Sequence, residues 1–109
     1  SAPIGDPTRL AGGIVSRGEI WADADGAASL LEETKGTLFA KLVKEHFDQP
    51  AWKAEALAKA DSRYEEHIKA MVAARTMSNL AKVKYDGSKV LADLQRSAES
   101  TRRAEMQMK

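Results

Sequence analysis

Apolar residues recur along this chain at spacings of three and four, the period of a helix face rather than of a strand. A first stripe runs through Leu10, Ile14, Arg17, Trp21, Ala24, Ala28, Leu31, Lys35, Leu38 and Leu42, with Phe39 and Val43 flanking its far end. Ten positions hold heptad register and eight of them are apolar. That predicts one helix over 7–47, about 60 Å long at 1.5 Å per residue. Asp6-Pro7 suits its start, because Asp accepts orphan amide protons and Pro fits the first turn. Gly12, Gly13, Gly18, Gly26 and Gly36 oppose it, each by about 1 kcal/mol relative to Ala, so a shorter helix would begin near Asp23.

The run His46-Phe47-Asp48-Gln49-Pro50 marks a reversal at 47–50. Pro disfavours helical geometry at the residue before it, and Asp48 or Gln49 is placed to cap the next helix. A second stripe then passes through Leu57, Ala60, Tyr64, His67, Met71, Ala74, Ser78, Ala81, Tyr85, Ser88 and Ala92. Large and small residues alternate in it, which lets two helices approach closely. Ile68, Val72, Leu80, Val83, Val90, Leu91 and Leu94 widen its apolar face. This predicts a second helix over 50–106. Asp86-Gly87 is a turn-favouring dipeptide, and Ser88 is placed to cap a third helix folded back at that point. Heptad phase nevertheless runs unbroken from Tyr85 to Ala92, which favours one continuous helix.

No convincing strand alternation occurs anywhere. The expected fold is all-α: a single helical domain over 1–109, built as a long, coiled-coil-like antiparallel two-helix hairpin. A turn centred at 48–49 pairs positions that sum to about 97, setting Leu31 near Glu66, Trp21 near Thr76, Ile14 near Val83 and Leu10 beside Gly87. Residues 88–106 would then project about 28 Å beyond the first helix.

Charge favours the antiparallel arrangement. Residues 1–34 carry two cations against six carboxylates, and residues 75–109 carry eight cations against four. Net charges of −4 and +4 thus lie side by side in the hairpin. The whole chain balances to +1, which announces no nucleic-acid partner.

Composition removes several classes of chemistry. With no Cys there are no disulfides and no thiolate chemistry. No apolar run approaches the ~20 residues of a membrane span. The start, SAPIGDP, lacks the basic and apolar segments of a secretory leader, so a cytoplasmic location is expected. His46 and His67 are the only imidazoles and fall on different helices, far apart along the hairpin. Neither a metal site nor a cofactor is therefore expected. Glu32-Glu33 and Glu65-Glu66 are adjacent pairs that point to different sides of a helix, and Gly12-Gly13 lacks any phosphate-loop context. A two-helix hairpin also offers no deep, dry cleft for nucleophilic catalysis. An enzyme is not expected.

Two binding surfaces remain. The second helix is apolar over a wider face than one partner covers, so self-association as a dimer or higher oligomer is expected through Val90, Leu91, Leu94 and the Trp21 end of another chain. The alternative is nucleic-acid contact through Lys82, Lys84, Lys89, Arg96, Arg102 and Arg103. Against it, Asp86, Asp93, Glu99 and Glu105 are interleaved with these cations, and no aromatic follows Tyr85 to stack on bases.

The stretch Ala54 to Thr76, with Tyr64, His67, Met71, Ala74 and Arg75, followed by Tyr85 and the closing run Ser100-Thr101-Arg102-Arg103-Ala104-Glu105-Met106, resembles small helical proteins of tailed bacteriophages and prophages. The likeness covers residues 50–107. It implies a phage context in a bacterial host cell, and a phage protein as a possible partner, but it transfers no activity to any residue. The expected function is a non-enzymatic, self-associating interaction or assembly module. The alternative is a nucleic-acid-binding accessory in phage DNA replication, recombination or packaging.

Overall fold

The computed structural model describes residues 7–108. Three helices occur in the order α1 (Pro7–Lys44), α2 (Ala51–Ala60) and α3 (Ser62–Gln107), with no strand among the described residues. The fold is the all-α antiparallel hairpin that the two stripes predict, with α1 and α3 as its arms. Asp6, the expected start signal of α1, lies outside the described residues, as does the side chain of Leu10.

Helix α1 ends at Lys44, three residues short of the predicted 47, with Lys41 and Lys44 set against the negative end of its dipole. The chain then leaves the helix through short turns, His46 N–H donating to the Val43 carbonyl and Gln49 N–H to the His46 carbonyl at 3.0 Å each. Pro50 is the N-cap of α2. Its carbonyl accepts from the Lys53 and Ala54 amides, and no side chain caps this end. Neither Asp48 nor Gln49 takes the capping role expected of it.

The second predicted helix is two helices. Asp61 has extended geometry (φ −68°, ψ 134°) and separates α2 from α3. Its own N–H closes α2 on the Ala58 carbonyl, and its carboxylate opens α3 by accepting the Arg63 amide at 2.8 Å. An Asp at the N-cap satisfies an amide that has no helical partner, which offsets the broken ladder. By contrast, α3 passes through Asp86-Gly87 without interruption, so no third helix folds back there.

The break moves the register. Phe39 meets Tyr64 with ring centroids 5.7 Å apart, Ser78 Oγ donates to Asp25, and Trp21 stacks on Tyr85 at 5.6 Å. These pairs sum to about 103, not 97, because the reversal takes up everything from 45 to 61 rather than a tight turn. Trp21 therefore meets Tyr85 instead of Thr76. Carried to Pro7, the same offset sets the start of α1 beside residues 96–99. The projection of 88–106 beyond the first helix is shortened accordingly: by this offset about half of that segment falls within the length of α1.

Internal packing divides the chain into two compact units, one of Asp23–Ser78 and the other of the residues up to Ala22 with those from Asn79 onward. In the first, the buried residues are Ala28, Leu42, Ala54, Ala58 and Ser78. Four of these five are small, as close helix approach requires. In α2 the inward positions are Ala54 and Ala58, whereas the stripe predicts Leu57 and Ala60, which are exposed. The phase slips because α2 does not continue into α3. From Tyr64 to Ala92 every predicted seam position of α3 is half-buried or buried.

In the second unit, Ile14, Gly18 and Trp21 form the inward side of α1. Arg17, which the heptad places in the stripe, is exposed, and so is Lys35 farther along the helix. Gly18 replaces Arg17 at the seam because Tyr85 fills the space above it. A β-carbon built at 18 would lie 3.1 Å from Tyr85 Cε1.

Candidate interaction surface

The inward faces of α1 and α3 are held by polar groups as well as by packing. Arg75 reaches from α3 to two carboxylates of α1, Asp25 at 2.6 Å and Glu32 at 2.6 Å, and also donates to Ser29 at 3.4 Å. Its hydrogen bonds to Glu32 and then Asp25 hold the guanidinium charged beyond its ordinary range, and the bond it donates to Glu32 lowers that carboxyl below its own. Buried Ser78 lies one turn on and donates to the same Asp25 oxygen at 3.4 Å. A four-residue step along either helix would break this set, so it specifies register as well as orientation. At the reversal, Arg63 bridges Asp61 at 2.9 Å and Glu45 at 2.6 Å, tying the end of α1 to the start of α3. His67 Nε2 lies 2.7 Å from the Leu31 carbonyl, a seam hydrogen bond that accounts for its partial burial.

The outward face of α3 is different. Two residues beyond the seam positions Ser78, Ala81, Tyr85, Ser88 and Ala92 stand Leu80, Val83, Gly87, Val90 and Leu94. Two residues turn a helix by about 200°, so this second stripe lies nearly opposite the first. Leu80, Val83, Val90, Leu91 and Leu94 are 54–68% exposed. Val90, Leu91 and Leu94 are therefore exposed as expected, but for a different reason. They face away from α1 rather than extending past it. Leu80 and Val83 belong with them; a +2 offset from the seam is the sequence signal that identifies Leu80, Val83, Val90 and Leu94, with Leu91 beside them.

Trp21 does not join this surface. It is half-buried against Tyr85, with Lys82 Nζ 5.9 Å from its ring centroid. Several of the proposed phosphate-binding cations are likewise engaged within the chain. Lys89 lies over Tyr85 at 4.5 Å and pairs with Asp86 at 3.4 Å, and Arg96 pairs with Asp93. Lys84, Arg102 and Arg103 are exposed.

Other exposed apolar groups sit at the reversal, where Phe47 is 89% and Trp52 72% exposed. They belong to a loop and a short helix and continue no stripe. Among the described residues no group of three or more His, Cys, Asp or Glu is placed to hold a metal ion, and no helix is long and apolar enough to cross a membrane. Comparison with protein-family models, with curated proteins and with solved structures found no match to this chain.

Proposed function

We propose that this chain is a non-enzymatic helical interaction module that self-associates through the outward face of α3. The observation that carries this reading is the second apolar stripe, Leu80, Val83, Val90, Leu91 and Leu94, which the hairpin does not use and water covers poorly. A helix with apolar stripes on opposite faces fits two partners: α1 within the chain and another helix outside it. Assembly in a phage or prophage setting rests on the likeness of residues 50–107 alone. Light scattering tests the association. Leu91→Glu combined with Leu94→Glu should convert an oligomer to a monomer while helical content stays unchanged, and an unaltered mass for the double variant would place the interface elsewhere.

A second reading, nucleic-acid contact, is supported by the exposure of Lys84, Arg102 and Arg103, none of which forms an ion pair among the described residues. A mobility-shift assay at low salt decides it. Binding weaker than about 100 µM, the weak end of non-specific affinity, argues against this role.

A further inference from the structure

The aromatic side chains of this chain divide into two groups. Trp21 with Tyr85, and Phe39 with Tyr64, pair in the seam. Phe47 and Trp52 stand instead at the reversal, 89% and 72% exposed. Helix α2, which carries Trp52, turns only Ala54 and Ala58 inward. At about 100° per residue, Trp52, Ala56 and Ala60 fall on the opposite side, with Ala56 at the centre. Lys59 and Lys53 border that side, each about 60° from Ala56 in opposite directions, and all five residues are exposed. Glu55, the one carboxylate of α2, lies farther round, towards the hairpin.

Charge indicates what this surface meets. Between 41 and 60 the lysines are Lys41, Lys44, Lys53 and Lys59, all exposed and without an ion pair among the described residues. The carboxylates of the same stretch are Glu45, Asp48 and Glu55, and Glu45 is taken by Arg63. Four unpaired cations against two unpaired carboxylates leave a positive surplus around the two open rings.

We propose that the reversal docks on an anionic lipid surface, with Phe47 and Trp52 at the boundary of headgroups and acyl chains and Lys53 and Lys59 on lipid phosphates to either side. An indole joins an apolar body to one N–H donor, which suits that boundary. Lysine stems lie along apolar surface while their ammonium groups reach the headgroups, so cations bordering an apolar centre match an interfacial helix. The ten residues of α2 are too few to cross a bilayer, and the contact is therefore peripheral. A single nucleic-acid strand is the less suited occupant. It is held in a charged groove, whereas α2 exposes every residue but Ala54 and Ala58 and offers a protruding surface.

Vesicle co-sedimentation of the full chain tests the proposal, with Trp52 as the probe. In a Trp21→Phe background Trp52 is the only indole. The chain should sediment with vesicles of equal parts phosphatidylglycerol and phosphatidylcholine, at least tenfold more tightly than with phosphatidylcholine alone, and Trp52 emission should shift to the blue. Added salt should weaken the binding. In the parent chain, Phe47→Ser combined with Trp52→Ser, and separately Lys53→Glu combined with Lys59→Glu, should each reduce it at least tenfold. These side chains are exposed, so helical content should not change in either variant. No sedimentation with anionic vesicles overturns the proposal, as does binding that leaves Trp52 emission unmoved or that survives either pair of substitutions. Equal binding to both kinds of vesicle overturns the role of the lysines and with it the choice of an anionic surface. Quenching of Trp52 by oligothymidylate, in place of vesicle binding, would assign the reversal to single-stranded nucleic acid instead.

Discussion

Tyr85 occupies the space that a side chain at position 18 would fill, its Cε1 lying 3.1 Å from where a Gly18 β-carbon would stand. The ring has little room to retreat, because Trp21 stacks on it and the Lys89 ammonium lies over it. Gly18→Leu should therefore destabilise the hairpin by about 1–3 kcal/mol through overpacking. Gly26→Ala is the control. A β-carbon there meets nothing within 4 Å, so the change should stabilise by up to about 1 kcal/mol through helix propensity. Denaturant unfolding of the two variants should move in opposite directions, and equal shifts would contradict the role given to Tyr85.

The two adjacent glutamates of α1 should respond unequally to charge reversal. Glu32 accepts two hydrogen bonds from Arg75, whereas Glu33 is exposed with no ion pair among the described residues. Lys at 33 should change stability by no more than about 0.5 kcal/mol, as for an ordinary surface site. Lys at 32 sets a cation against Arg75 and should lower the melting temperature clearly. Equal melting temperatures for the two variants would remove Arg75 from the register-setting group.

Most of the helical layout is legible in the sequence, because burial repeats at the period of the helix. The seam from Tyr64 to Ala92, the reversal before Pro50 and the continuity through Gly87 are all readable from phase and from proline chemistry. The Asp61 break is not, since Asp-Ser reads equally well as two solvated residues of a continuous helix, and only the extended backbone of Asp61 and its bond from the Arg63 amide show that it caps a new one. The heptad count also favours Arg17 over Gly18, because a glycine scores as an absence. What decides the position is the bulk of Tyr85 on the opposite helix, 67 residues along the chain.

The buried polar pair makes a further test. Ser78 is 1% exposed and donates to Asp25. Ser78→Leu should cost about 1–3 kcal/mol by overpacking, against less than about 1.5 kcal/mol for Ser78→Ala, which loses one hydrogen bond. Chemical denaturation of both variants checks the order.

Acid should loosen the reversal first. The Asp61 carboxyl is held down to about 2, from an ordinary 3.8, chiefly by hydrogen bonds from the Arg63 side chain and then from its amide. A carboxyl whose pKa is lower in the folded chain contributes stability that is complete above the unfolded value and lost as pH falls through the folded one. The contribution should be present above about pH 4 and disappear towards pH 2. Asn at 61 keeps the capping oxygen but not the charge, so the melting temperature of Asp61→Asn should fall less steeply between pH 5 and pH 2 than that of the parent chain. Parallel curves would show that the Arg63 bridge adds nothing to folding.

Self-association through the outward face of α3 is the central claim, and sedimentation equilibrium of the unmodified chain tests it most directly. The mass should rise with concentration from 11.9 kDa towards twice that value. A single 11.9 kDa species from low micromolar to several hundred micromolar, about the span in which a weak helical pair forms, would contradict it.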